Sequence, residues 1–329
     1  MSSGTVVSHT SDVWGNIQGE GRGDMKEAMR VIVNPVAANG AVGKRWPQIR
    51  DILRAEGGQF DTSFTESPNH ATELVREALS AGYRTIVAVG GDGTLNEVVN
   101  GLVIEGMVDP TVNLGIIPSG TGADSVRTLR VPHDYRAACH RLLHGKPDCI
   151  DLGLITCVSQ GREVQRYFLN VAGLGFDGEV AERTNRSSKA LGGTLPFLSS
   201  LFVKLLTYQN KTVEVTLDGQ RRLQQKANSV LVCNGRYAGG GMHIGPHAAL
   251  DDGLFDVVII GDTGRLEIVA NVPRIYRGTH LSHPKVDEYR AGEVRVKAQE
   301  RMLLQADGEL IGEAPATFQI IPRALHVLV

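Results

Sequence analysis

The chain has 329 residues, with 34 Lys and Arg against 36 Asp and Glu and a formal net charge of −2. That near balance excludes a global field that recruits nucleic acid or an anionic membrane, so any such partner has to be met by a local patch. Hydrophobic residues make up 42% and charged residues 21%, enough apolar surface for a sizeable core, and at roughly 100–200 residues per domain the length suggests two domains.

The four cysteines, Cys139, Cys149, Cys157 and Cys233, form no CxxC pair and have no histidine at zinc spacing, which predicts reduced thiols in a cytoplasmic protein. No run approaches ~18 continuous apolar residues, so no transmembrane helix is expected. The first apolar run, Arg30–Val36, is short and strand-like and does not read as a secretory signal.

Residues 1–29 are rich in Ser, Gly and Thr without apolar periodicity and are expected to form a disordered extension. A first strand is predicted at Met29–Asn34. The glycine-containing loop Pro35–Lys44 follows, then a helix over Trp46–Ala55 with apolar positions Ile49, Ile52 and Leu53. Gln59–Thr65 reads as a second strand. His70–Ala81 reads as a helix opened by Ser67, Pro68 and Asn69 and closed at Gly82. Thr85–Val89 is a third strand, with a glycine loop and a helix from Leu95. Leu114–Ile117 is a fourth, again followed by a glycine loop and a helix. Strands alternating with helices imply parallel pairing in an open, doubly wound α/β sheet.

The pattern changes near Cys149. Ile150–Ile155, Arg166–Val171, Lys211–Leu217, Ser229–Cys233, Leu254–Ile260, Glu293–Lys297 and Met302–Ala306 are strand-like, with turn signals at Asp218–Gly219 and Asp307–Gly308. This predicts a β-rich second domain with helical insertions near Gly178–Gln209 and Arg265–Arg277. The last strand, Ala324–Val329, fits either domain. Between Arg183 and Lys226 eight basic residues are opposed only by Glu214 and Asp218, a face that suits either anionic headgroups or plain solvation. Within it, Thr194–Gln209 carries Leu198, Leu201, Phe202 and Leu205 on one helical face, which fits lipid access or packing on the β domain equally well.

Chemistry concentrates in the loops. Gly90–Gly91–Asp92–Gly93–Thr94–Leu95–Asn96–Glu97 lies between an apolar strand and a helix. Glycines there allow close backbone approach to a ligand, and a helix N-terminus offers N–H groups to phosphate. Asp92 suits a metal–water group and Thr94 a phosphate oxygen. Pro118–Ser119–Gly120–Thr121–Gly122–Ala123–Asp124 is a second loop at the same sheet edge, and Asn34–Gly40 a third that bounds the pocket. None of these three loops is a Walker A loop or a GxGxxG. Leu250–Asp251–Asp252–Gly253–Leu254 and Asp307–Gly308–Glu309 are acidic turns. Alone, the first reads equally well as an ordinary turn and the second reads better as a plain hairpin, but beside phosphate loops they supply carboxylates for Mg²⁺ and for a hydroxyl proton.

Together these segments resemble the diacylglycerol kinase catalytic family, in particular its soluble bacterial lipid kinases, with sphingosine and ceramide kinases as relatives. The resemblance runs from Arg30 to Val329 through VNPVAANG, GGDGTLNEVVNG, IPSGTGADSVRTL, NVAGLGFDGEVAERTNR, NGRYAGGGMHIGPHAALDDGLFDVVIIG, THLSHPKV and ADGE. It implies an α/β plus all-β fold: an ATP-binding α/β domain over residues 30–148 with a returning tail, 312–329, and a β-sandwich domain for the lipid substrate over 149–311. It implies ATP held by Asn34, Thr65, Gly90, Gly91, Asp92, Gly93, Thr94, Leu95, Asn96, Gly120 and Thr121. It implies Mg²⁺ at Asp252 with main-chain oxygens of Ala249 and Leu254, and a catalytic set of Glu309 as proton acceptor, Asp307 and Asp92.

The activity so implied is transfer of the γ-phosphate of ATP to a lipid hydroxyl, diacylglycerol to phosphatidic acid first. Ceramide, sphingoid-base or phosphatidylglycerol phosphorylation are alternatives, and an NAD kinase or a non-catalytic lipid- or nucleotide-binding regulator are remoter ones. The expected partners are ATP and a lipid at the membrane surface, not nucleic acid, with room for a homodimer. The expected location is cytoplasmic with peripheral membrane association during turnover. Two positions depart from the family pattern: Ala123 replaces an Asn in the second loop, and His247 replaces an Asp before the LDDG turn.

Overall fold

The computed structural model describes residues 28–120, 124–187 and 208–329. Strands β1 (Met29–Val33), β2 (Phe60–Phe64), β3 (Thr85–Gly90) and β4 (Asn113–Pro118) pair in parallel in the order β2-β1-β3-β4. Their side chains alternate between two cores. Ile32, Ile86, Ala88, Leu114 and Ile116 face one, and Val31, Val33, Val87, Val89 and Ile117 face the other. Helices α2 (His70–Ser80) and α3 (Asp92–Leu102) close the first core through Ala71, Val75, Val98 and Leu102. The short α4 (Asp124–Thr128) follows β4, while α1 (Ala41–Ala55) and α5 (Tyr135–His144) close the second core through Trp46, Ile49, Cys139 and Leu142. Strands covered on both faces are apolar throughout, which is why they stand out in the sequence.

The C-terminal part is an antiparallel sandwich. Its strands are β5 (Pro147–Ser159), β6 (Arg162–Phe168), β7 (Val171–Gly175), β8 (Lys211–Leu217), β9 (Arg221–Ala227), β10 (Ser229–Cys233), β11 (Phe255–Ile260), β12 (Val286–Ala291), β13 (Glu293–Ala298), β14 (Leu303–Ala306) and β15 (Glu309–Leu328). Helices α6 (Phe176–Ser187) and α7 (Arg265–Arg277) are inserted between them. The core is centred on Phe168, stacked on Phe255 at 5.6 Å and edge-on to Phe318 at 6.4 Å. The twenty-residue β15 pairs with β5, β13 and β14, and its end, His326–Val327, pairs in parallel with Asn113–Leu114 of β4. One strand therefore carries the Asp307–Gly308–Glu309 turn at its start and is hydrogen-bonded to the nucleotide-type sheet at its finish.

Several elements differ from the sequence expectation. α3 begins at Asp92 rather than Leu95, because extended Gly91 ends the strand and an acidic residue in the first turn suits the helix dipole. The single strand expected over Arg166–Val171 is two, β6 and β7, interrupted at Leu169–Asn170. β9 and β12 were not expected as strands. Both lie at sheet edges and are largely polar. Register shifts near Pro315 and Arg323 disguise β15 as a short terminal strand. Of the amphipathic stretch 194–209, all but the last two residues lie outside the described residues.

Candidate active site

Gly90 ends β3, and Gly91 is extended (φ −100°, ψ −171°), so Asp92, Gly93 and Thr94 form the first turn of α3. Free N–H groups and the positive end of the helix dipole face the sheet edge there. The glycines are required by contact. A Cβ on Gly120 would stand 2.5 Å from the Gly91 Cα, and one on Gly90 would stand 2.5 Å from the Thr94 Oγ1. The two glycine loops thus meet backbone to backbone, joined by the Ser119 N–H donating to the Gly90 carbonyl at 3.0 Å.

Asn34, just past β1, donates from Nδ2 to the Thr94 Oγ1 (2.9 Å) and accepts the Val36 N–H (3.2 Å). Thr65, just past β2, is buried and donates its N–H to the Val33 carbonyl (2.9 Å). Asn34, Thr65, Gly90–Thr94 and Gly120 therefore gather at the carboxyl edge of the parallel strands, where open α/β sheets take ligands. Leu95 is buried in the core beneath this edge, so its side chain packs. Thr121 and Ala123 lie outside the described residues.

The rest of the GGDGTLNEVVNG string fixes α3. Glu97 accepts the N–H groups of Asn69 (2.9 Å) and Ala71 (3.2 Å), holding the start of α2. A Cβ on Gly101 would stand 2.7 Å from the Val75 Cβ, so the two helices cross closely only with glycine there. Asn96 and Asn100, one turn apart, face the sandwich. Asn100 exchanges hydrogen bonds with the Tyr167 backbone (both 3.0 Å), and Asn96 donates to Asp307.

Asp307 sits in a cage of donors. One carboxylate oxygen accepts Leu169 N–H and Asn96 Nδ2 (both 2.9 Å); the other accepts the N–H groups of Asn170 (3.0 Å) and Val171 (3.1 Å). This is why the strand breaks between β6 and β7: the backbone donors of residues 169–171 are committed to a carboxylate. Burial raises the Asp307 pKa against the pull of these donors. Asp307 (φ +48°) and Gly308 (φ +87°) make the two-residue turn between β14 and β15, and the Gly308 N–H donates to Gln305 (2.9 Å).

Glu309 follows this turn. Its Oε1 lies 3.8 Å from where a Cβ on Gly93 would be, so the acidic turn faces the first turn of α3. Its Oε2 accepts from Arg166 Nη2 (3.0 Å), which also donates to the Asn96 Oδ1 (2.6 Å). The Glu309 side chain keeps 37% of its surface exposed, and burial raises its pKa above the ordinary carboxylate value by more than Arg166 lowers it.

The two carboxylates expected at Mg²⁺ are engaged elsewhere. Asp92 accepts the N–H groups of Asp124 (3.2 Å) and Ser125 (3.1 Å), fixing the start of α4. Asp252 is ion-paired with Arg290, and its other oxygen accepts the Leu254 N–H (3.1 Å). Arg290 also reaches Asp256 (3.5 Å), and His247 pairs with Glu288 (2.9 Å). The Ala249–Leu254 turn is held from below by buried Asp151, which accepts the N–H groups of Gly253 and Arg323 (both 2.7 Å). Mg²⁺ demands several free oxygens in near-octahedral array. Here the Arg290 guanidinium takes one Asp252 oxygen and the Leu254 N–H takes the other. This turn does not fit a metal cage.

Residues 28–155 match the diacylglycerol kinase catalytic domain, and residues 170–329 match the YegS C-terminal NAD kinase beta sandwich-like domain. The diacylglycerol kinase of Bacillus subtilis (strain 168) is 30% identical over 305 residues, covering 92% of this chain and 96% of its own. The chain belongs to the diacylglycerol kinase family. It is a kinase. The diacylglycerol kinase of Staphylococcus carnosus (strain TM300) is also 30% identical, over 92% of this chain and 95% of its own. A crystal structure of a diacylglycerol kinase from Bacillus anthracis str. Sterne superposes with a TM-score of 0.67 at 23% identity, over 92% and 96% of the two chains, and carries the same fold. Among the described residues no helix is long and apolar enough to cross a membrane.

Within this kinase fold the site contains residues that sequence reasoning passed over. Arg166 orients Glu309, and Asp151 fixes the LDDG turn; each is a lone charge in a strand-like segment, with no spacing to mark it. Asn96, expected at ATP, is buried with its side chain bonded to Asp307, Arg166 and Asn100; Asn100, four residues on, was passed over, and as a second polar position within an apolar helix it signals a buried hydrogen-bonding face.

Proposed function

We propose that this kinase transfers the γ-phosphate of ATP to a lipid hydroxyl, diacylglycerol being the first acceptor, with Glu309 accepting the hydroxyl proton. The observation that carries this reading is the Glu309 carboxylate facing Gly93 in the first turn of α3. A helix N-terminus suits phosphate, and a carboxylate beside it suits an alcohol about to attack. The hydroxyl oxygen bonds to the γ-phosphorus, the bond to ADP breaks, and the proton passes to Glu309. Arg166 holds Oε2, which leaves Oε1 toward the reacting side. Partial burial raises the carboxyl's pKa above the ordinary value, which makes it a stronger base for the hydroxyl proton. Asp307 keeps the turn in register with α3, and Asp92 pins the second glycine loop. Mg²⁺ brought in with ATP would supply neutralisation of phosphate charge. The diacylglycerol kinase names of relatives alignable over nine-tenths of the chain support the choice of acceptor.

The test is Glu309→Gln, assayed with labelled ATP and dispersed diacylglycerol. ATP affinity and melting temperature stay near wild type, while turnover falls by ~10²–10⁴-fold, the range for a positioned general base. Turnover within threefold of wild type would remove Glu309 from the reaction.

A further inference from the structure

We infer that α7 is the element that docks this kinase on an anionic lipid surface, an inference that rests on the lipid-kinase reading above. No residue of α7 is buried. Among the described residues its inner side packs through Ile268, against Phe176, Val180 and Tyr208, and through Ile275, on the cluster containing Leu231 and Ile244. Its outer side presents Leu266 (86% exposed), Val269 (49%), exposed Pro273 and Tyr276 (49%). Steps of three, four and three residues put these on one helical face. A large leucine left this bare on a surface helix marks a contact rather than a core position.

Among the described residues the unpaired charges on this helix have one sign. Arg265, Arg274 and Arg277 are exposed and, among the described residues, none is in an ion pair. The helix's single acidic residue, Glu267, is drawn aside to Lys285 (2.7 Å) and His283 (3.3 Å). On a chain of net charge −2 this cationic face is a local feature. An apolar stripe bordered by arginines is the chemistry of a helix lying in the headgroup plane of an anionic bilayer.

The stripe also leads to the site. Tyr276 lines an open groove of about 640 Å³ with Arg127, Arg130, His133 and Tyr237. Gly240 also lines the groove; its N–H donates to Asp124 (2.7 Å), and the N–H of Asp124 is held by Asp92 next to the glycine loops. A lipid leaving the bilayer at Tyr276 thus meets a basic groove that runs toward the nucleotide edge. A lipid acceptor gains from that continuity, and a protein partner would gain nothing from it.

The experiment is vesicle sedimentation of the full chain with phosphatidylcholine alone and with phosphatidylglycerol mixed in. The variants are Leu266→Glu/Val269→Glu and Arg265→Gln/Arg274→Gln/Arg277→Gln. Wild type partitions to the anionic vesicles. The apolar-stripe variant loses roughly 100-fold, from two side chains each worth a factor of ten or more on burial. The arginine variant loses roughly 100-fold and most of its salt dependence. Both keep the wild-type melting temperature and wild-type turnover of a short-chain diacylglycerol supplied as monomer. Wild type that ignores both vesicles, or variants that bind as wild type does, overturn the inference. So does a wild-type dimer that the stripe variant splits without loss of vesicle binding, since α7 is then a contact between copies. Vesicle binding lost in both variants, in a protein that phosphorylates no lipid at all, upholds the docking surface and removes the kinase reading's substrate instead.

Discussion

Asp307→Asn isolates the donor cage that locks the acidic turn onto α3. Asn tolerates the left-handed backbone as well as Asp does, so the φ of +48° at this position adds no strain. What changes is hydrogen bonding. Each carboxylate oxygen accepts two N–H donors, so either orientation of the amide turns an NH₂ toward two donors and forfeits both bonds. Bonds to a charged acceptor contribute ~1.5–3 kcal/mol each, so the loss is ~3–6 kcal/mol. That is a large share of the ~5–15 kcal/mol that holds a typical domain folded. Urea unfolding followed by tryptophan fluorescence and far-ultraviolet circular dichroism measures it, and lipid phosphorylation falls in parallel because Glu309 follows the turn directly. A loss below ~1 kcal/mol would show that Asp307 does not hold the turn, and the account of the break between β6 and β7 would fall with it.

Three further outcomes are expected. Burial raises the Glu309 pKa while Arg166 lowers it. A base must be deprotonated to act, so activity falls as pH drops through that raised pKa; Arg166→Met moves this acid limb to higher pH, and a shift to lower pH in the rate profile would contradict the assignment. Gly120→Ala forces a Cβ to 2.5 Å from the Gly91 Cα, where backbone has to yield at ~1–3 kcal/mol; calorimetry should give a loss of ATP affinity of about 5- to 150-fold, and unchanged affinity would separate the two loops from the nucleotide site. Enclosed Asp177, which accepts from Gln305 (3.1 Å), has its pKa raised from 3.8 to about 6, so the native state holds the proton more tightly and wild-type stability declines as pH rises through this window. Relative to wild type, Asp177→Asn should gain ~3 kcal/mol across the full window, roughly half of it between pH 5 and 7.5, by urea unfolding; a pH-independent difference would refute the shift.

Much of the α/β half was legible because its strands are buried on both faces. Met29–Val33, Thr85–Gly90 and Asn113–Pro118 are apolar runs closed by glycine or proline loops, and no competing pattern fits them. The sandwich was harder. Arg221–Ala227 and Val286–Ala291 are edge strands with one wet face, so polar residues dominate and the alternation is faint. The glycine loops and the acidic turn were visible as motifs, but their wiring was not. Nothing local says that Asp92 caps α4, that Asp307 takes its donors from residues 169–171, or that Arg166 reaches Glu309. Those contacts span 32 to 143 positions of sequence separation, and only the fold brings them together. The same holds for Asp252. Its LDDG turn reads as a metal loop from composition, while Arg290, on an edge strand not foreseen from sequence, is the charge that meets it.

The most direct test of the account is phosphate transfer from labelled ATP by the purified full chain to mixed micelles of single lipids, diacylglycerol, ceramide, sphingosine and phosphatidylglycerol, with NAD as a soluble comparison. The account predicts label in phosphatidic acid, formed from diacylglycerol in preference to the others. Label in NADP, or label in no lipid despite measurable ATP binding, would contradict it.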